Sequence, residues 1–374
     1  MKICILACNV LEHTKNGSNT IYLKRFLSNL PPSNNEYTIL TGKEGINILK
    51  PLYPNFIYEI YEADPYFCSW KKFWITISEA RRFQKFINER DYDCLFISHF
   101  FSTFARLPLK CKKVSVIHDV IQLHHSISSL KDLYHYSIYK YHFYNVLKNS
   151  NKVIAISEFV KKDILKFYPK VNPSKIIVVP NSIELINNSK PIKELQNQSY
   201  ILFVGRLAPY KGFITMVNAY AKIKDKKIKL VFVCGKDKYW DNDIMTCIRK
   251  NNIEDCVIHL TGIDDSELKW LYENATIYVT ASEHEGFGYT PVEAAIYGTP
   301  VISSKCDALP EATLGLVYYY EPATDSEVLS KTITEVLNNY PTKDKLQEIS
   351  VKLSRQYSPK HQAEQIYNIL TDKQ

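Results

Sequence analysis

Two carboxylates, Glu285 and Glu293, stand eight residues apart across the run Glu285-Gly286-Phe287-Gly288-Tyr289-Thr290. A carboxylate only accepts hydrogen bonds, which suits it to grip the hydroxyls of a sugar or a ribose. Gly286 and Gly288 let the backbone approach a ligand closely, and a helix starting after them offers free N–H groups to an anion. Upstream, Arg206 and Lys211 lie five residues apart. Arg206 brings a planar fork for two phosphate oxygens and Lys211 a compact positive charge, so together they can neutralise a diphosphate without a metal ion. His118, followed by Asp119, adds an imidazole that can donate to or accept from a hydroxyl, with Asp119 placed to fix its orientation.

Plainer readings compete with each of these. Thr290-x-x-Glu293 also spells a capping box, in which Glu293 merely satisfies a helix end. A lone histidine is more often structural than functional. Asp91-Tyr92-Asp93 has the D-x-D spacing used to hold Mg2+ or Mn2+, but it leads straight into the apolar run Cys94–Ile97. That places it at a strand's amino edge, the end of an open α/β sheet that does not bind ligands. Nine cysteines show no C-x-x-C pair and no histidine at ligand spacing, which argues against a structural zinc and fits a reducing compartment.

The elements that must position these residues alternate. Apolar, β-branched runs read as strands at Ile3–Ala7, Tyr37–Leu40, Phe56–Tyr61, Cys94–Ser98, Val114–His118, Lys152–Ile156 and Ile176–Val179. Helical patterns fall near 19–30, 70–89, 131–148 and 157–167. Such alternation makes a parallel sheet wrapped by helices. Gly17 sits in the loop after the first strand. A polar run from Glu184 to Ser199 reads as a linker, dividing the chain into 1–183 and 184–356. The second half repeats the scheme. Tyr200–Val204 delivers Gly205 and Arg206 at its end, and Lys211-Gly212 opens a helix. Val257–Leu260 leads to Gly262 and Ile263, while 275–280 is the strand ahead of the two-glutamate turn. Pro291 to Tyr297 follows as a helix closed by Gly298.

With 374 residues, 45% of them hydrophobic, the chain can build two sizeable cores, and no apolar run approaches the roughly 18 residues of a membrane span. Met1–Cys8 reads as a first strand rather than a signal peptide, so the cytoplasm is the default. Net charge is +8, unevenly spread: residues 1–190 hold 26 Lys+Arg against 15 Asp+Glu, and the remainder 21 against 24. The basic first half should face something anionic: nucleic acid, a membrane surface or a lipid-linked phosphate. One candidate is the stripe Trp70, Phe73, Trp74, Ile77, Ala80, Phe83 and Ile87, flanked by Lys71, Lys72, Arg81, Arg82 and Lys85. It fits either a bilayer interface or, more commonly, a sheet-packing helix.

The run E-G-F-G-x4-E-A at 285–294 resembles the signature of the group-1, family 4 retaining glycosyltransferases, and Gly205-Arg206-x4-Lys211-Gly212 is similar to that family's G-R-x4-K-G motif. Val153–Ile164 and Val178–Ile183 are further, looser matches, with Ile164 where leucine is usual and Ser182 in place of glycine. Gly17 stands alone where relatives usually carry two or more glycines. The resemblance implies a GT-B fold of two Rossmann-like, doubly wound domains facing across a cleft, with a helix at 357–374 packing back on the first. It implies that Arg206 and Lys211 stabilise a leaving diphosphate, that Glu285 holds the donor sugar and Glu293 the ribose, and that His118 lies at the transferred sugar. Gly17, Gly205 and the stretch Gly286, Phe287, Gly288, Tyr289 and Thr290 would meet the donor, and Gly262 with Ile263 would border its base. The expected reaction is retaining transfer of a hexose, from a GDP-mannose-like donor in preference to a UDP-sugar, onto a glycan or lipid-linked acceptor. No metal or cofactor is implied, and the enzyme would sit in the cytoplasm or at the inner membrane face. A sugar-nucleotide epimerase and a DNA-modifying glucosyltransferase are the alternatives; the chain carries no nucleic-acid recognition motif.

Overall fold

The computed structural model describes residues 1–14, 17–62, 73–99, 107–124, 127–224 and 227–372. The first sheet comprises β1 (Lys2–Leu6), β2 (Glu36–Thr41), β3 (Ile57–Ile60), β4 (Cys94–Ile97), β5 (Lys112–Ile117), β6 (Lys152–Ala155) and β7 (Ile176–Val178). The second comprises β8 (Tyr200–Val204), β9 (Lys229–Val233), β10 (Val257–Leu260), β11 (Ile277–Thr280), β12 (Val301–Ser304) and β13 (Tyr318–Tyr320). All their pairings are parallel. Central strands are near-continuous apolar runs because helices cover both faces. Thus Ile3, Cys4, Ile5 and Leu6 of β1 are fully buried, as are Ile201 and Leu202 of β8.

The strand order is β3-β2-β1-β4-β5-β6-β7 in one sheet and β10-β9-β8-β11-β12-β13 in the other. In each, the chain runs outward to one side, then crosses back past its starting strand. The reversal falls between β1 and β4 and again between β8 and β11. At such a point the loops leaving two neighbouring strands diverge to opposite faces, opening a crevice at their carboxyl ends.

Contacts divide the chain into two compact units, Met1–Ser182 with the segment from Ser358 onward, and Ile183–Tyr357. Helix Pro359–Thr371 belongs to the first unit, where it packs on helix Ser18–Ser28. Gln362 accepts a hydrogen bond from Ser182 Oγ at 2.8 Å and donates to Pro180 O at 2.7 Å, while Ile366 and Leu370 are fully buried.

Three local expectations change. Glu184–Ser199 is largely irregular but docked on the second unit: Lys190 Nζ reaches Glu267 at 2.7 Å, and Ile186 N–H donates to Tyr297 OH at 2.9 Å. A short helix, Lys43–Leu49, escaped the sequence reading because seven residues give too little periodicity. Of the Trp70–Ile87 stripe, residues 70–72 and the side chains of Phe73, Trp74 and Ile77 lie outside what the structure describes, and helix Phe73–Asn88 buries Ala80, Phe83 and Ile87 in the core with Arg81, Arg82 and Lys85 exposed. Its described apolar face packs on protein. Among the described residues, no helix is long and apolar enough to cross a membrane.

Ile366→Ala should destabilise the first unit by about 2–5 kcal/mol, the usual range for emptying a buried aliphatic site. A thermal or urea melt reads this directly.

Candidate functional site

The reversal between β8 and β11 gathers the charged residues of the second unit. After β8 the chain passes Gly205 and Arg206 into a single 3-10 turn, Pro209–Lys211. Gly212 follows with φ +76°, and a Cβ there would lie 2.1 Å from Ala281 O. Only glycine lets this loop close so tightly on the chain leaving β11. Tyr210 O accepts from Glu283 N–H at 2.8 Å, which adds a second tie. Across this junction Lys211 Nζ meets Glu285 Oε1 at 2.5 Å, both side chains being less than a fifth exposed (18% and 16%).

Glu285 is held from several directions. Ser282 Oγ donates to the same Oε1 at 3.0 Å, and Glu285 N–H donates to Asp307 Oδ2 at 3.1 Å. That Asp307 oxygen also meets His284 Nδ1 at 3.1 Å, and Ala308 N–H returns to Glu285 O at 3.3 Å. The carboxylate therefore has a fixed position before any ligand arrives, an arrangement that limits reorganisation on binding. Arg206 is exposed, with Nη2 donating to Tyr210 OH at 2.6 Å. Beside them Cys306 donates to Ser282 O at 2.8 Å, and burial pushes its thiol up to about 12, aided by Asp307 and Glu285. It stays a protonated donor rather than a nucleophile.

The capping-box reading of Glu293 fails. Helix Tyr289–Ile296 starts two residues earlier than expected, with Gly288 at φ +100° as its N-cap and no side chain capping it. A Cβ on Gly288 would lie 2.4 Å from Leu309 Cδ2. Thr290 is already inside the first turn, where its Oγ1 accepts from Tyr278 OH at 2.7 Å. Glu293 Oε2 instead accepts from the buried Tyr272 hydroxyl at 3.1 Å. Burial first, then Glu293, raise the Tyr272 pKa, so that hydroxyl remains a donor. Phe287 is buried, its ring 5.3 Å from Tyr289 and 5.1 Å from Tyr357. A reciprocal capping box does occur, at Asp264 and Glu267, immediately after the exposed Gly262 (φ +67°) and half-buried Ile263.

In the first unit Gly17 is the N-cap of helix Ser18–Ser28, its N–H bonded to Thr14 O at 2.8 Å. His118 follows β5 directly. Its Nε2–H donates to Ser98 O at 3.0 Å, the Tyr22 ring meets it edge-on at 5.0 Å, and the His99 ring lies 6.2 Å away. Asp119 does not orient the imidazole as expected; its Oδ1 accepts from Ile121 N–H at 3.2 Å and closes a turn. Burial lowers the His118 pKa, and burial together with the neighbouring His118 takes His99 down to about 3. Both rings are neutral at pH 7. Asp93 Oδ2 accepts from Lys2 N–H at 2.7 Å, so it knits two amino strand ends together. Among the described residues there is no group of three or more His, Cys, Asp or Glu that could hold a metal ion.

Two family models adjoin along this chain: Glycosyltransferase Family 4 matches residues 20–186, and Glycosyl transferases group 1 matches residues 186–352. The chain belongs to the group-1, family 4 glycosyltransferases. The O-antigen chain mannosyltransferase RfbU of Salmonella typhimurium is 30% identical over 226 residues, 59% of this chain and 60% of that one. The alpha-monoglucosyldiacylglycerol synthase of Streptococcus pneumoniae is 29% identical over 234 residues, 58% of this chain and 52% of that one. The chain thus spans little more than half the length of these curated relatives. Its fold, GT-B with two Rossmann-like units, is that of Anabaena HepE solved with UDP and glucose: TM-score 0.73, 16% identity, 99% of each chain covered. WaaG, a glycosyltransferase of lipopolysaccharide biosynthesis, gives a TM-score of 0.71 at 17% identity, covering 99% of this chain and 100% of that one.

The residues that sequence reasoning missed are those that hold the motif residues in place: Ser282, Asp307, Tyr210 and Tyr272. Asp307 lies 22 residues beyond Glu285, in a different loop, and no local spacing links them. The neutral His99 has a consequence for stability. Below pH 6.5 the unfolded chain binds a proton that the native imbedded ring refuses until about pH 3, so stability falls as pH drops through that window. The loss at pH 5 should be about 2 kcal/mol relative to pH 7.5. Thermal melts of His99→Gln, which lacks the titrating ring, should show that much less acid sensitivity.

Proposed function

We propose that this chain is a retaining, metal-independent hexosyltransferase that uses a nucleotide diphosphate sugar and builds a glycan on a saccharide or lipid-linked acceptor. The observation that carries this reading is the Lys211–Glu285 contact, 2.5 Å long, at the strand-order reversal between β8 and β11. It sets an ammonium for phosphate beside a carboxylate for sugar hydroxyls. Arg206 would add its fork to the same diphosphate, and the backbone of Gly205 and of Gly286–Thr290 would border the donor. Glu293 would grip the ribose and Gly262 with Ile263 the base. His118, neutral and with Nε2–H engaged by Ser98, would offer Nδ1 to the transferred sugar.

In the front-face mechanism proposed here, the bond from the anomeric carbon to the diphosphate oxygen breaks while Arg206 and Lys211 take up the developing charge. The departing oxygen accepts the proton of the acceptor hydroxyl, which attacks from the same face. A mannose-type donor is favoured because RfbU is named a mannosyltransferase; HepE, solved with UDP and glucose, is the reason to assay UDP-sugars beside GDP-sugars. Work at the inner membrane face, with a lipid-linked acceptor, fits the basic first unit.

Lys211→Ala and Arg206→Ala should each lower turnover by about 10²–10³-fold, the usual loss when one preorganised contact to a developing anion is removed. Glu285→Gln should slow transfer while GDP or UDP still binds, whereas Glu293→Gln should weaken nucleotide binding itself. Calorimetric titration beside a nucleotide-release assay separates these, and normal transfer by Glu285→Gln would sink the assignment.

Activity should persist in excess EDTA, because two side-chain cations already face the diphosphate. Strict recovery of turnover only on adding Mg2+ or Mn2+ would count against the mechanism.

A further inference from the structure

Helix Leu130–Asn149 is apolar on two faces. One face buries His142, Phe143, Val146 and Leu147. The opposite face carries Leu130, Leu133, Ser137, Tyr141, Tyr144 and Lys148 at steps of three or four residues, which is one stripe of a helix. Leu130 is 86% exposed, Leu133, Tyr141 and Tyr144 are each 45–47% exposed, and Ile127, just ahead, is 49% exposed. A helix facing water on one side should be polar there; exposed leucines and tyrosines lined up on one face, broken only by Ser137, mark a surface that meets something.

On the helix itself the exposed charges beside the stripe are lysines. Exposed Lys131 and Lys140 flank it on either side and Lys148 ends it. The helix's one carboxylate, Asp132, is occupied at the N-terminus, accepting from Ser128 Oγ and Ser129 Oγ at 2.7 Å each. Lys148 also lines a polar cavity of about 470 Å³ with Lys152, Lys175, Asn149, Asn151 and Asn172, and no carboxylate lines it.

We propose that this face is a docking surface for an anionic lipid bilayer, with the leucines and tyrosines at the acyl boundary and a phosphate headgroup taken by the lysine cavity. Tyrosine suits that depth because its ring is apolar and its hydroxyl wet. Lysines alongside gain from the negative potential of such a membrane. A second copy of the chain is disfavoured, since a self-complementary contact would oppose lysines to lysines. The proposal rests on the transferase reading only for its purpose, access to a lipid-linked acceptor. Binding to vesicles needs no turnover, so the two can fail separately.

The test is flotation of the full chain with mixed phosphatidylglycerol–phosphatidylcholine vesicles, against phosphatidylcholine alone. The wild type should float with the mixed vesicles only, and less so as salt is raised. Lys140→Gln with Lys148→Gln and Lys152→Gln should weaken binding about 100-fold, at roughly tenfold or less per charge near the surface. Leu130→Ser with Leu133→Ser and Tyr144→Ser should weaken it at least about tenfold by removing apolar burial. Melting temperature and GDP or UDP binding should match wild type in both variants, showing that the fold survives. The proposal is overturned if wild type stays off mixed vesicles, if both variants float as wild type does, or if the serine variant instead disperses a dimer.

Discussion

The second unit depends on one close approach, that of the loop leaving β8 to the chain leaving β11. Gly212 at φ +76° makes it sterically feasible, and the Tyr210–Glu283 backbone bond of 2.8 Å fixes its register. Everything chemical follows from it. Lys211 reaches Glu285 because the two loops are tied one residue before Lys211 and two before Glu285. A salt bridge this sheltered is weak evidence for stability, since desolvation offsets much of the attraction. Its worth is positional: each charge keeps the other in place, and Ser282 and Asp307 hold the carboxylate's side chain and backbone. Such a pair fixes both side chains at the strand-order reversal.

The first unit solves a different problem. It places imidazoles rather than charges at the carboxyl edge of its sheet, and burial keeps them neutral. His118 is oriented by a main-chain carbonyl, Ser98 O, rather than by the acid next to it in sequence. Burial holds the ring's pKa down against the Ser98 carbonyl and the nearby Asp119, both of which pull it up. A neutral ring can accept a hydrogen bond from a hydroxyl through Nδ1.

Much of the fold was legible because buried parallel strands are apolar on both faces. Cys94–Ile97 and Tyr200–Val204 announce themselves without any partner in view. The site was legible where its residues are close in sequence and carry turn chemistry, as with Arg206 to Gly212 and Glu285 to Glu293. It was not legible where the partner comes from another element. Asp307 supports Glu285 and Tyr272 supports Glu293 through the tertiary fold, and no spacing rule reaches them. Thr290-x-x-Glu293 shows the converse error. The pattern of a capping box was present, but Gly288 in a left-handed conformation started the helix earlier and moved Thr290 inside it.

The two aromatic-rich helices of the first unit expose a deeper limit. Helix Phe73–Asn88 has a narrow apolar stripe flanked by arginine and lysine, the pattern of an interfacial helix, and its described stripe residues are in the core. Helix Leu130–Asn149 has five tyrosines spread around its axis, and its outward face carries apolar residues as well as its buried one. Periodicity reports that a face is apolar, not what lies against it. The described part of the Phe73–Asn88 stripe is covered by protein, the commoner fate of an amphipathic helix face. A surplus face appears only when a helix carries more apolar surface than the sheet can cover. Diffuse rather than sharp amphipathicity is therefore the pattern to look for when an α/β domain must also hold on to something outside itself.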